Sequence, residues 1–282
     1  MIHRLSIVGL GLLGGSVAKA TRAASLAREI VGVGRRRESL EPALRDGVVD
    51  HVTTDLAEGV AGADMILLAT PVATLEGQLP AVWQAAAPHA LLTDVGSTKA
   101  GIVRAAEELG RVRPLAFVGS HPLAGSEQSG YKVARVDLFQ GATVVVTPTE
   151  TTELTALKRT TEFWEALGAR VTSLDPETHD RTVAAISHLP HLVACALVDG
   201  ARRVEPAALE LAARGFRDTT RIAAGDPDMW TEIFLANRDA LSASVAAFRE
   251  ALADLERVIA AGATDELHAV LARIKAMREG LR

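Results

Sequence analysis

Short apolar runs alternate with longer amphipathic stretches through the first 175 residues of the chain. The runs at 5–9, 30–34, 64–70, 90–94, 115–118, 143–147 and 170–173 are rich in Val, Ile and Leu and predict strands. Helical spacing between them predicts helices at 17–24, 37–46, 75–87 (interrupted near Pro80), from about Ser97 to Gly110, and at 150–167. Past Asp175-Pro176 the strand signals stop, and nearly everything reads as helix, with long amphipathic stretches at 229–260 and 264–281. Regular alternation of strand and helix implies an α/β fold with a doubly wound, mostly parallel sheet. The boundary with the all-α remainder falls within 171–177, which divides the chain into 1–174 and 175–282.

The first strand runs straight into Gly9-Leu-Gly11-Leu12-Leu13-Gly14-Gly15-Ser16. Strand, GxGxxG and helix in that order form a dinucleotide fingerprint, which makes the sheet domain Rossmann-type. Gly9 allows the tight turn, Gly11 lets backbone approach a diphosphate, and Gly14 packs helix on strand. The anion then rests on the helix-start amides, around Leu12 and Leu13. The second strand ends in Gly34 followed by Arg35-Arg36-Arg37, where an NAD site usually carries an acid. Guanidinium groups there suit a 2′-phosphate, so NADP is expected, with NAD the alternative; the arginines also read as the solvated start of a helix. Thr70-Pro71 forms another strand-end loop beside the cofactor.

The chain has 282 residues, 48% of them hydrophobic, and a net charge of −5 without long runs of either sign. That excludes nucleic acid as the main partner. No uninterrupted apolar run approaches the roughly 18 residues of a membrane helix, and four glycines spoil the N-terminal stretch as a signal peptide. A single cysteine, Cys195, excludes an intrachain disulfide and reads as core. A soluble cytoplasmic protein is expected, with long apolar helices that dimerise.

Candidate chemistry clusters at strand ends. Gly119 to Gly130 reads as a loop headed by His121, whose ring exchanges protons near neutral pH. Ser97 either caps the following helix or orients a catalytic base at the cofactor edge, and Lys99 either binds an anion or lies on the surface. In the helical half, His188 and His191 lie three apart, hence on one helical face, with His179 twelve residues before His191. Core packing, a substrate cleft and a metal site are the three readings; no third ligand stands beside them, and no metal is expected. Arg217 and Arg221, four apart, either grip a carboxylate or pair with Asp218 and Asp226.

Together, residues 9–16, Asp-Val-Gly-Ser-Thr-Lys at 94–99, the His-Pro segment 119–130, Ser-His-Leu-Pro-His at 187–191 and Gly-Phe-Arg-Asp-Thr-Thr-Arg-Ile at 215–222 resemble the prephenate/arogenate dehydrogenase family of tyrosine biosynthesis. The resemblance implies oxidative decarboxylation of a cyclohexadienol, with hydride passing to the nicotinamide as the ring carboxylate leaves as CO2. It implies His121 as base and Ser97 as its orienter. Arg221 corresponds to the partner of the ring carboxylate, with Arg217, His188, His191 and His179 shaping the pocket and Glu127 near its mouth. The long apolar helices of the second half lead, by composition, to the expectation of a homodimer through the helical domain. With no room for an appended regulatory domain, tyrosine feedback is expected only by competition in the site. Rival readings are a hydroxyacid- or imine-type dehydrogenase using Lys99, and a non-enzymatic dinucleotide sensor.

Overall fold

The computed structural model describes residues 1–125 and 128–281. Strand β1 (Ile2–Val8), helix α1 (Leu12–Ala23), β2 (Ala27–Val33), α2 (Arg37–Arg45), β3 (His51–Thr53), α3 (Leu56–Val60), β4 (Met65–Leu68), α4 (Val72–Ala85), β5 (Leu91–Asp94) and α5 (Ala100–Val112) build the first part of the sheet domain. Strand β6 (Ala116–Pro122), β7 (Thr143–Thr147), α6 (Leu154–Ala166) and β8 (Arg170–Ser173) complete it. Eight strands pair in the order β3-β2-β1-β4-β5-β6-β7-β8. All neighbours run parallel except β6 and β7, which pair antiparallel with His121 opposite Val145.

The central strands read as unbroken apolar runs because helices cover both faces of the sheet. One face buries Leu5, Ile7, Leu67 and Leu91 with Phe139 and Trp164; the other buries Val8, Ile66, Leu68 and Leu92 with Leu79 and Trp83. Each side chain so removed from water stabilises the fold by roughly 1.5–3 kcal/mol.

Several boundaries differ from the sequence expectation, each for a tertiary reason. Helix α1 begins at Leu12 rather than residue 17, because its glycines lie against packed surfaces: a Cβ on Gly15 would stand 2.9 Å from the Tyr131 ring. Helix α4 runs unbroken through Pro80, with Leu75, Leu79, Val82 and Trp83 buried along it. Strand β6 continues through Gly119, Ser120, His121 and Pro122, so His121 is a strand residue and not the head of a loop. Pairing with β7 carries it that far, and Gly119 is needed there because a Cβ would meet Thr147 Oγ1 at 2.4 Å.

The helical domain opens with α7 (Pro176–Val183), widens into one π-helical turn (Ala184–His188) and continues as α8 (Leu189–Val204). The π turn accommodates Pro190, whose ring would clash with a carbonyl one α-turn back. This stretch of 29 residues, 176–204, is long and apolar enough to cross a membrane by length and composition, which a search for uninterrupted apolar runs overlooks. Here it packs against the sheet domain and the later helices and carries four buried polar residues, His179, Asp180, His188 and His191. Next come α9 (Arg214–Thr220), α10 (Pro227–Ala236), α11 (Arg238–Ala260) and α12 (Thr264–Glu279). The helix expected over 229–260 is broken at Asn237, which turns inward and is buried. Cys195 lies half-buried on α8 rather than in the core.

Candidate active site

Gly9 leaves β1 with φ +100°, and a Cβ there would stand 2.6 Å from the Ala69 carbonyl oxygen. A Cβ on Gly14 would fall 1.9 Å from the Gly9 carbonyl oxygen, so glycine is what lets α1 close onto the turn. Around Gly11 the space is open, and no side chain caps the helix it starts. Uncapped first-turn amides at the positive end of a helix dipole form an anion seat. Above them lies a cavity of about 320 Å³ whose lining includes Gly9, Gly11, Gly34, Arg35, Arg36, Thr70 and Pro71. Leu12, Leu13, Gly14 and Ser97 do not line it; Gly14 serves the packing of α1, and Leu13 packs on the core. Thr74, Gln78 and Tyr131 line it unforeseen. Thr74 and Gln78, four apart on α4, are the polar counterpart of the buried Leu75 and Leu79, a signal legible in the spacing. Among the described residues no carboxylate lines this cavity.

At the carboxyl ends of β5 and β6 the sheet meets α7. His121 is nearly buried, and its Nδ1 lies 2.9 Å from Nε2 of His179. His179 is fully buried, and its Nδ1 lies 2.7 Å from Oδ1 of Asp180. Asp180 Oδ1 also accepts from Lys99 N at 2.7 Å, and Oδ2 accepts from Ala100 N at 2.9 Å. Helix α5 is therefore capped across the domain junction by Asp180. Ser97 is half-buried, contributes no cap, and makes no side-chain hydrogen bond among the described residues. The ring partner of His121 in this structure is His179, not Ser97. His179, expected in the substrate pocket, has both ring nitrogens occupied and no exposed surface; it stands behind His121.

Lys99 is neither a surface residue nor an open anion site. It is completely buried, bonded through Nζ to Asp94 Oδ2 and, at 3.0 Å, to the Ser120 carbonyl. Asp94 accepts further from Gly96 N and Ser120 N. Burial pushes the His121 imidazole well below its ordinary range, and His179, Lys99 and His188 add to the shift. His121 is thus a neutral ring at physiological pH.

His188 and His191 are both buried but differently employed. His188 Nδ1 lies 3.1 Å from Asn237 Nδ2, and burial pushes its pKa down to about 4 against the opposing pull of Asp180. His191 stacks on Trp230, ring centroids 3.7 Å apart, and its buried Nδ1 meets no hydrogen-bond partner among the described residues. Among the described residues no group of three His, Cys, Asp or Glu is arranged to hold a metal.

Arg217 is exposed on α9, while Arg221, also exposed, opens a 3-10 turn (Arg221–Ala224) that packs against α8. Asp218 pairs with Arg214, and Asp226 caps α10, so neither serves as the bland partner that the sequence offered. Glu127 lies outside the described residues.

A glycine turn on a parallel sheet, with a neutral histidine where that sheet meets a helical domain, defines a two-domain dinucleotide-binding protein of dehydrogenase build. The description "Prephenate dehydrogenase, nucleotide-binding domain" matches residues 17–173, and "Prephenate dehydrogenase, dimerization domain" matches residues 175–273. The chain belongs to the prephenate dehydrogenase family. It is 37% identical over 243 residues to a prephenate dehydrogenase of Bacillus subtilis, covering 85% of this chain and 65% of that protein. The prephenate dehydrogenase of Aquifex aeolicus, solved with hydroxyphenyl propionate and NAD+, superposes with a TM-score of 0.93 at 34% identity, covering 100% of this chain and 99% of that one. The Synechocystis arogenate dehydrogenase does so with a TM-score of 0.85 at 33% identity, covering 98% and 99%.

Proposed function

We propose that the protein oxidatively decarboxylates prephenate, arogenate or both in tyrosine biosynthesis, using a nicotinamide dinucleotide. The observation that carries this reading is the neutral, buried His121 at the carboxyl edge of the sheet, in a chain of this family. Residues 1–174 hold the dinucleotide and 175–282 shape the substrate site. The amides of Leu12, Leu13 and Gly14 would hold the diphosphate, and Arg35 and Arg36 favour NADP over NAD, supported by the lack of a carboxylate among the described residues that line that cavity. When bound, the nicotinamide accepts the hydride from the ring carbon bearing the hydroxyl.

His121 takes the hydroxyl proton as the hydride leaves. The carbon–carboxylate bond then breaks, its electron pair completes the aromatic ring, CO2 departs, and His121 returns the proton to the phenolate oxygen. Arg221 holds the ring carboxylate, and Arg217, His188, His191 and Ser97 border the substrate. Positioning rather than tight carboxylate binding is what the reaction needs, since CO2 must leave. Lys99 as the acid/base, the rival enzymatic reading, is disfavoured by its complete burial and its ion pair with Asp94. Exposed Leu252, Ile259, Leu271, Ile274 and Met277 on α11 and α12 support a homodimer. No membrane or nucleic-acid partner enters this reading; a cytoplasmic enzyme does.

The test is reduced-nicotinamide absorbance with prephenate and arogenate, each with NAD and NADP. Turnover is expected, fastest with NADP. Silence in all four, from protein that still binds a dinucleotide, refutes the reading and favours the sensor.

A further inference from the structure

We propose that Asp180 and His179 form a tautomer-setting relay behind His121, leaving the lone pair of His121 on Nε2, the nitrogen that takes the substrate proton. This rests on the dehydrogenase reading of the site. The two Asp180 oxygens receive two backbone N–H groups at the positive end of α5, which holds the carboxylate as an acceptor. Its third donor is then Nδ1–H of His179. A neutral imidazole has one N–H, so His179 Nε2 carries a lone pair. That lone pair, 2.9 Å from Nδ1 of His121, requires Nδ1–H on His121. The remaining ring nitrogen, Nε2, makes no hydrogen bond among the described residues and is the basic one.

His179 and Asp180 are positioning residues, since neither is placed to touch substrate. In the reaction the Nε2–H bond of His121 forms as the substrate O–H bond breaks, while Nδ1 keeps its proton toward His179. No proton passes down the relay; it orients the ring and stabilises the transient imidazolium, as the buried aspartate does in hydrolase triads. Among the described residues the titratable groups facing His121 are His179 from α7, His188 from the π turn and Lys99 from the β5–α5 junction, with Asp180 bonded behind His179 and Asp94 behind Lys99.

The test combines 15N NMR of the imidazoles with kinetics of His179→Phe and His179→Gln. In the wild type at pH 7.5 His121 is expected as the Nδ1–H tautomer. His179→Phe removes the acceptor and is expected to shift His121 to Nε2–H, with kcat falling about 100-fold or more while dinucleotide affinity holds. His179→Gln, whose amide oxygen can reach the same proton, is expected to recover at least tenfold of that loss. An Nε2–H tautomer in the wild type overturns the relay. So does kcat within threefold of wild type in His179→Phe, or an equal loss in both variants, which makes His179 merely structural. If the wild type turns over neither substrate, the activity fails, and the NMR assignment still decides the relay.

Discussion

Lys99→Met removes the counter-ion of a carboxylate that stays behind in the interior. Both Lys99 and Asp94 are completely buried. Breaking a buried pair from one side costs about 3–5 kcal/mol, because an uncompensated charge remains in low dielectric. Asp94 keeps two backbone donors, Gly96 N at 2.8 Å and Ser120 N at 3.1 Å, and methionine nearly matches lysine in length, so no cavity adds to the loss. The expected destabilisation is therefore at the lower end, about 3 kcal/mol. Urea unfolding followed by tryptophan fluorescence reads it, since Trp164 bonds to Ser120 beside the pair. With a slope of about 3 kcal/mol per molar urea, the midpoint falls by about 1 M. The double-mutant cycle with Asp94→Asn is expected to give a coupling of about 2 kcal/mol. A midpoint shift below about 0.3 M, or strictly additive single effects, refutes a charge-compensated pair. The same variant reports on catalysis: Lys99 is among the cations that disfavour a charged His121, so its loss moves the acid limb of kcat to higher pH.

Gly14→Ala places a Cβ 1.9 Å from a backbone oxygen, forcing α1 off its turn. Dinucleotide affinity by fluorescence titration is expected to drop at least about tenfold, and unchanged affinity refutes that account. Arg35→Ala with Arg36→Ala is expected to lower kcat/KM for NADP about 10–100-fold while sparing NAD, the worth of a charged hydrogen bond; an equal effect on both makes these arginines surface charge. His188 titrates near 6.5 when unfolded and about 4 when folded, so between those values the unfolded chain binds more protons. Its contribution is complete above pH 6.5 and is lost as pH falls, by up to about 1.4 kcal/mol per unit. Urea midpoints at pH 7 and pH 4.5 should differ accordingly, and equal midpoints refute this.

The sheet was legible where burial on both faces makes a strand a solid apolar run, as at Met65–Leu68, and where glycine spacing has one geometric use, as at Gly9 and Gly14. Strand β3, three residues long, offers too few positions for any periodicity. Gly119, Ser120, His121 and Pro122 look like a turn because none favours strand; the strand that pairs with them, the antiparallel β7, comes more than 20 residues later. The histidines were visible as a group but not their division of labour. His179 and His188 differ by what faces them, Asp180 and Asn237, and such partners come from tertiary packing. Asp180 itself looked ordinary, since its meaning lies in the amides of Lys99 and Ala100 some 80 positions earlier.

That carboxylate makes the two halves of the protein poor candidates for exchange. A chimera joining this sheet domain to a foreign helical domain inherits an α5 whose first amides await an acceptor supplied from outside. It also inherits a His121 with no ring to order it. Undocking the native helices uncaps α5 and frees His121 in the same movement, so the ring is held in place only while the junction is closed.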